Sequence, residues 1–237
     1  MRPMALCVAT MKNDNLPHPG DIPGWVRASQ TYIPTYIHRN WPDANDGVVG
    51  SYQWMYEGSG EPILCYLHDD VICREEGWDV RLLKEFEDPK VGLVGFGGAL
   101  AHGSSELYKR PYELTNLRRM GYLSNVDDAE VHGERFSGSC DVAVLDGFCL
   151  CIRRSVLDRI GGWKILIDAY IGFIAYDYVI CALVRRLGYR IRVVGCRCHH
   201  RGGGTSVKIN VDRQAEYDYA HRWCYENLRD VLPYKVP

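Results

Sequence analysis

The chain has 237 residues, of which 46% are hydrophobic and 24% charged, with a formal net charge of -2. That length is enough for one sizeable core, and the near-neutral balance excludes a long-range basic field for nucleic acid. No stretch approaches the roughly 20 apolar residues that span a bilayer and the start, Met1–Thr10, is too short an apolar run for a signal peptide, so the expectation is a cytoplasmic chain without a transmembrane segment.

Residues 4–10 form a short apolar run ended by polar residues, which predicts a buried parallel strand. A loop rich in Asn, Pro and Gly follows from Lys12 to Gly24. Residues 31–37 have strand-like composition, but Pro34 restricts them to an edge position or a loop. A helix is predicted over 46–58, with Val48, Val49, Tyr52 and Met55 or Tyr56 on one face and Gly58-Ser59-Gly60 as its stop. The clearest strand, Ile63–Leu67, runs into His68-Asp69-Asp70. A helix over Trp78–Phe86 ends before Asp88-Pro89, and Val91–Phe96 reads as another buried strand. Residues 99–139 are polar and weakly patterned, and a loop that long inside a domain is usually functional.

Val142–Ile152 is apolar and interrupted by Asp146-Gly147. Ser155 is placed to cap a helix over 156–160, closed by Gly161-Gly162. A helix over 178–187 stops at Gly188, residues 189–196 alternate Arg with apolar residues as a half-buried strand does, and a glycine-rich turn covers 199–205. An amphipathic helix over 214–230 closes the chain. Alternating strands and helices predict an α/β class with a mixed, mostly parallel central sheet flanked by helices. Of the ten cysteines, Cys7, Cys65, Cys149, Cys151 and Cys181 fall in apolar runs, where free Cys behaves as a small hydrophobe, so reduced thiols are expected.

Four constellations can carry chemistry. His68-Asp69-Asp70 ends an apolar strand, where open α/β sheets bind ligands. Adjacent carboxylates are costly to hold unless a cation offsets them, and oxygen donors suit Mg²⁺ or Mn²⁺. The same three residues read equally as a polar turn. Asp146-Gly147 can accept a ligand hydroxyl while its glycine admits a close backbone, or it can be a simple turn. Asp177 precedes a helical run and reads as an N-cap or as a general base. His199-His200 read as surface histidines or as metal ligands; a zinc site recruiting Cys196 and Cys198 with them lacks the paired spacing of structural zinc.

Taken in order, these segments resemble glycosyltransferase family 2, the inverting GT-A group. The resemblance is carried by 61–71, Gly77-Trp78-Asp79, 88–95, 145–150, 153–157, 160–163, Tyr176-Asp177, 187–191 and Cys198-His199-His200. It implies a single GT-A domain with a nucleotide-binding half over about 1–98, an acceptor half over about 99–210 and a closing helix over about 211–237. It implies transfer of a sugar from a UDP- or GDP-sugar to a saccharide or other hydroxyl acceptor with inversion, with Mn²⁺ or Mg²⁺ as cofactor. Asp70 matches the metal position of the family's Asp-x-Asp motif, and Asp69 its middle residue. His68 replaces the first Asp. Asp177 matches the catalytic base of the family's Glu-Asp motif, with Tyr176 in place of Glu. His200, with His199 as the other candidate, resembles a late histidine near the metal. His68, Asp69, Asp146, Gly147 and His199 are expected at the donor.

The family's acidic base-binding loop has no counterpart between Thr10 and Asp46, where Asp43, Asn45 and Asp46 are weak substitutes. Residues 99–139 and 200–210 are expected to close over the donor, with Gly202–Gly204 permitting the movement. Two other readings compete: a sugar nucleotidyltransferase, which would want a glycine-rich basic loop where Thr10–Asp14 stand, and a catalytically silent carbohydrate-binding or assembly protein on the same scaffold.

Overall fold

The computed structural model describes residues 2–11, 21–40, 47–103, 121–125, 134–201 and 212–237. Among these residues the largest sheet has seven strands: β1 (Ala5–Met11), β2 (Thr35–Asn40), β3 (Ile63–His68), β5 (Val91–Gly95), β10 (Ser139–Asp141), β12 (Cys149–Arg153) and β13 (Arg190–Val194). Their order is β10-β13-β5-β12-β3-β1-β2. β1 runs parallel to β2 and β3, and β13 parallel to β5. β12 is antiparallel to both β3 and β5, and β10 antiparallel to β13. All strands but β10 and β12 therefore share one direction, as expected of a mixed, mostly parallel sheet.

Smaller sheets accompany it. β4 (Val71–Cys73) lies antiparallel to β14 (Cys198–His200). β6 (Gly97–Ala99), β8 (Tyr122–Ser124), β9 (Glu134–Arg135) and β11 (Val144–Leu145) form a sheet ordered β11-β6-β8-β9. β7 (Ala101–His102) pairs with β15 (Tyr234–Lys235). The helices are α1 (Ile22–Arg27), α2 (Gly47–Gly58), α3 (Trp78–Glu85), α4 (Arg154–Ile160), α5 (Lys164–Asp168), α6 (Tyr176–Arg186) and α7 (Arg213–Asn227).

Period-two alternation splits the central strands between two cores. From β3, Leu64 and Tyr66 join Val49, Tyr52 and Met55 of α2 and Val179 of α6. Ile63, Cys65 and Leu67 turn the other way, toward Trp25 of α1 and Trp78 and Leu82 of α3. β1 divides likewise, with Ala5 and Cys7 on one side and Leu6 and Val8 on the other. Burial on both faces is why these strands read as unbroken apolar runs. Trp25 and Trp78 meet edge-to-face at 4.9 Å, and each indole finds a backbone carbonyl, Val71 O and Trp25 O.

Several expectations shift. The strand anticipated at 31–37 begins after Pro34 and runs to Asn40, at the edge of the sheet. The stretch 99–139 is not a bare loop, since β7, β8 and β9 fall in it. Ser155 is not a cap: α4 already starts at Arg154 with Arg153 in the N-cap position and no side-chain cap. The Arg153 guanidinium instead donates to Val91 O and Asp88 O, tying β12 to the turn before β5. The five-residue helix α5 is an addition to the expected elements. Eight of the ten cysteines are buried, and Cys73 and Cys140 are half-buried. Lys12–Gly20, the Asp43–Asp46 segment and the proposed closing residues 202–210 lie outside the described residues, as does most of 104–133.

Candidate active site

β3 delivers His68 to its carboxyl end, and a two-residue turn, Asp69-Asp70, leads into β4. β14 pairs with β4 in the register His199↔Ile72 and His200↔Val71, and Arg201 N–H donates to Asp70 O at 3.1 Å. This ribbon brings His200 back over Asp70: His200 Nε2 lies 3.4 Å from Asp70 Oδ1. His68 Nδ1 lies 3.9 Å from the same oxygen. One ligand atom from each of His68, Asp70 and His200 falls within 4.8 Å of the others. Neighbouring residues on a strand face opposite sides, so His200 turns to Asp70 while His199 is outside this group. His68, expected only at the donor, belongs to it. Asp69 is half-buried in the turn.

Asp70 Oδ1 is buried and makes no hydrogen bond. Such an oxygen between two imidazoles suits a divalent cation, because carboxylate and neutral imidazole are both metal ligands. Burial, which alone would raise the Asp70 carboxyl, is outweighed by His200 and His68, and its pKa is lowered below the ordinary value. Burial and the neighbouring His200 push the His68 imidazole down to about 4. It is therefore neutral at pH 7, the form that ligates metals. Phe148 stacks on His200 with centroids 4.9 Å apart.

The second half of the site is the Asp146-Gly147 break between β11 and β12. His68 N–H donates to Phe148 O at 2.9 Å, so this break sits beside the end of β3. Asp146 is half-buried; Tyr122 donates to its Oδ2 at 3.3 Å and Phe148 N–H to its Oδ1 at 3.4 Å. The space at Gly147 is taken not by a backbone but by the Tyr176 side chain: an added Cβ would meet Tyr176 Oη at 2.4 Å.

Asp177 is 7% exposed, in the first turn of α6. It is not the N-cap, which is Ala175 in a left-handed conformation with φ 61. Gly147 N–H donates to its Oδ2 at 3.1 Å and Tyr178 N–H to its Oδ1 at 3.0 Å. Asp177 thus ties the Asp146-Gly147 break to α6. Tyr176 links the halves: its hydroxyl donates to Gly147 O at 3.2 Å and lies 2.6 Å from His68 Nε2. Burial holds the Tyr176 phenol well above its ordinary pKa, so it keeps its proton.

The contacts His68–Tyr176, Tyr176–Gly147 and Gly147–Asp177 draw together residues from distant parts of the sequence. Tyr122, Phe148 and Tyr176 were not anticipated in these roles. Phe148 carried a signal by following Asp146-Gly147, and Tyr176 by standing where the resemblance implies a Glu. The crowded Cys196, Cys198, His199 and His200 do not converge; among the described residues the other close set of ligand atoms is the buried Cys65, Cys149 and Cys151.

A family model described as a glycosyltransferase-like family matches residues 44–231. No curated protein matches the sequence. Among solved structures, the chain is similar to the mannosyltransferase PcManGT from Pyrobaculum calidifontis in complex with GDP-Man and Mn²⁺, at 12% identity and a TM-score of 0.52. That likeness covers 92% of this chain and 63% of the mannosyltransferase, so the chain spans less than two thirds of it. The chain is also similar to A197 from STIV, at 13% identity and a TM-score of 0.45 over 81% of this chain and 82% of that one. A third likeness is to CMP:2-keto-3-deoxy-manno-octonic acid synthetase complexed with CTP, at 12% identity and a TM-score of 0.45 over 88% and 95%. Among the described residues, no helix is long and apolar enough to cross a membrane.

Proposed function

The chain belongs to the glycosyltransferase-like family on a GT-A type of fold, and from that premise we propose that it moves a sugar from a nucleotide-diphosphate sugar to an acceptor hydroxyl with inversion. The carrying observation is the convergence of His68, Asp70 and His200 at the end of β3, joined through Tyr176 and Gly147 to Asp177.

Asp70 and His200 would hold a divalent cation, Mn²⁺ or Mg²⁺, at the donor diphosphate. When bound, such a cation neutralises charge growing on the departing diphosphate. The partly exposed Asp146 supplies an acceptor for a sugar hydroxyl, and Asp69 and His199 flank the same turn and ribbon. Asp177 acts as general base: the acceptor oxygen forms the new bond to the anomeric carbon, the bond to the diphosphate oxygen breaks, and the hydroxyl proton passes to the Asp177 carboxylate. Its two backbone N–H partners hold the carboxylate in place and aim it. A GDP-sugar or a UDP-sugar is the donor, and a saccharide or another hydroxyl compound the acceptor.

Calorimetry with UDP- and GDP-sugars, with and without Mn²⁺, tests this reading. Metal-dependent binding of one donor, with slow release of its sugar to water, is the expected result. Donor binding indifferent to both Mn²⁺ and Mg²⁺ would overturn the metal assignment, and an Asp177→Asn protein that transfers sugar at the normal rate would overturn the base.

A further inference from the structure

His68 and Tyr176 stand together where the family resemblance leads one to expect two carboxylates. Their side chains touch: His68 Nε2 lies 2.6 Å from the Tyr176 hydroxyl. A carbonyl oxygen can only accept, so the bond to Gly147 O at 3.2 Å uses the hydroxyl proton of Tyr176. The Tyr176 oxygen is then left to accept from His68 Nε2–H. With the proton so assigned, the imidazole is the tautomer with its lone pair on Nδ1, the nitrogen facing Asp70 Oδ1. An imidazole that donates its far N–H to a fixed partner while offering its near nitrogen is the usual outer arrangement of a metal-bound histidine.

We propose that Tyr176 is a positioning residue that presents His68 Nδ1, beside Asp70 and His200 Nε2, as part of a two-imidazole, one-carboxylate seat selecting a nitrogen-accepting transition metal over Mg²⁺. The inference rests on the cation reading of the proposed function and adds to it the ligand atom, the residue that orients it and the class of metal. Mg²⁺ takes oxygen ligands, whereas imidazole suits the later divalent metals. An imidazole at position 68 in place of a carboxylate therefore moves the site away from Mg²⁺, and Tyr176 holds that imidazole in place.

The test uses the full chain with MnCl₂ or MgCl₂ and no nucleotide. Free Mn²⁺ is followed by electron paramagnetic resonance, alongside ¹⁵N spectra of histidine-labelled protein. The expected results are Mn²⁺ bound more tightly than Mg²⁺, His68 protonated on Nε2, and Mn²⁺ affinity about 10- to 100-fold lower in Tyr176→Phe. His68→Asp is expected to narrow the gap between the two metals. Tyr176→Phe binding Mn²⁺ as the native chain does, while Asp70→Asn binds none, would overturn this inference and leave the proposed function standing. If neither the native chain nor Asp70→Asn binds Mn²⁺, the cation reading falls and the inference with it. Should Tyr176→Phe fail to fold, the native ¹⁵N spectrum decides alone: a proton on His68 Nδ1 refutes the positioning role.

Discussion

Replacing Gly147 by alanine strikes the point where the two halves of the site are joined. The new Cβ would lie 2.4 Å from Tyr176 Oη and 2.8 Å from its Cζ, well inside the roughly 3.5 Å of a comfortable contact. Tyr176 cannot swing clear, because it is 5% exposed and packed against Tyr52 and Trp163. Overpacking of this kind costs about 1–3 kcal/mol. For a chain of this size each kcal/mol moves the midpoint by about 2–4 °C, so Gly147→Ala is expected to lower Tm by roughly 2–12 °C. A matched control exists in Gly172, where an added Cβ meets nothing within 4 Å; Gly172→Ala is expected within about 0.5 kcal/mol of the native chain. Adding Tyr176→Phe to Gly147→Ala removes the closer contact and leaves the other, so part of the loss should return. Thermal unfolding by circular dichroism reads all four proteins. A Gly147→Ala midpoint within about 1 °C of the native value would refute the argument that this glycine exists to admit Tyr176.

Asp177→Asn should lower the transfer rate by about 10²–10⁴-fold, the usual worth of a general base, and stability by about 1–3 kcal/mol because one backbone N–H loses its acceptor; initial rates and denaturant melts separate the two effects. Asp70→Asn should abolish the Mn²⁺ dependence of donor binding, read by calorimetry, while EDTA treatment of the native chain should have the same effect reversibly. Asp79, fully buried, accepts from Ser29 Oγ, Thr31 Oγ1 and the amides of Gln30 and Thr31. Burial would raise its carboxyl, but these bonds outweigh burial and lower the pKa below the ordinary value. Its stabilisation is thus fully present above the unfolded value of about 3.9 and fades as pH falls through the lower folded value. The stability gap between the native chain and Asp79→Asn, measured by urea unfolding, should be flat from neutrality to near pH 4 and shrink below it.

The central strands were readable because burial on both faces leaves a continuous apolar run, as in Ile63–Leu67 and Cys149–Ile152. The edge strand β2 starts later than composition suggests, since its His38 and Arg39 carry no apolar signal and Pro34 stands before it rather than within it. β7, β8 and β9 have two or three residues each, too few to show a period. Asp70, Asp146 and Asp177 were legible because each carboxylate adjoins an apolar segment. Choosing between His199 and His200 needed the β4–β14 register, which sequence spacing does not contain. Tyr176 looked like a departure from a motif; its part in the site depends on contacts with residues 29 and 108 positions away.

The thiols give the molecule a built-in clock. Cys65, Cys149 and Cys151 face one another inside the sheet with no exposed surface, whereas Cys73 and Cys140 are half-buried. An alkylating probe should label the latter two promptly and the inner three only when β3 and β12 part. Counting labelled inner thiols over time, by mass spectrometry of the intact chain, would therefore measure how often the centre of the sheet opens under native conditions.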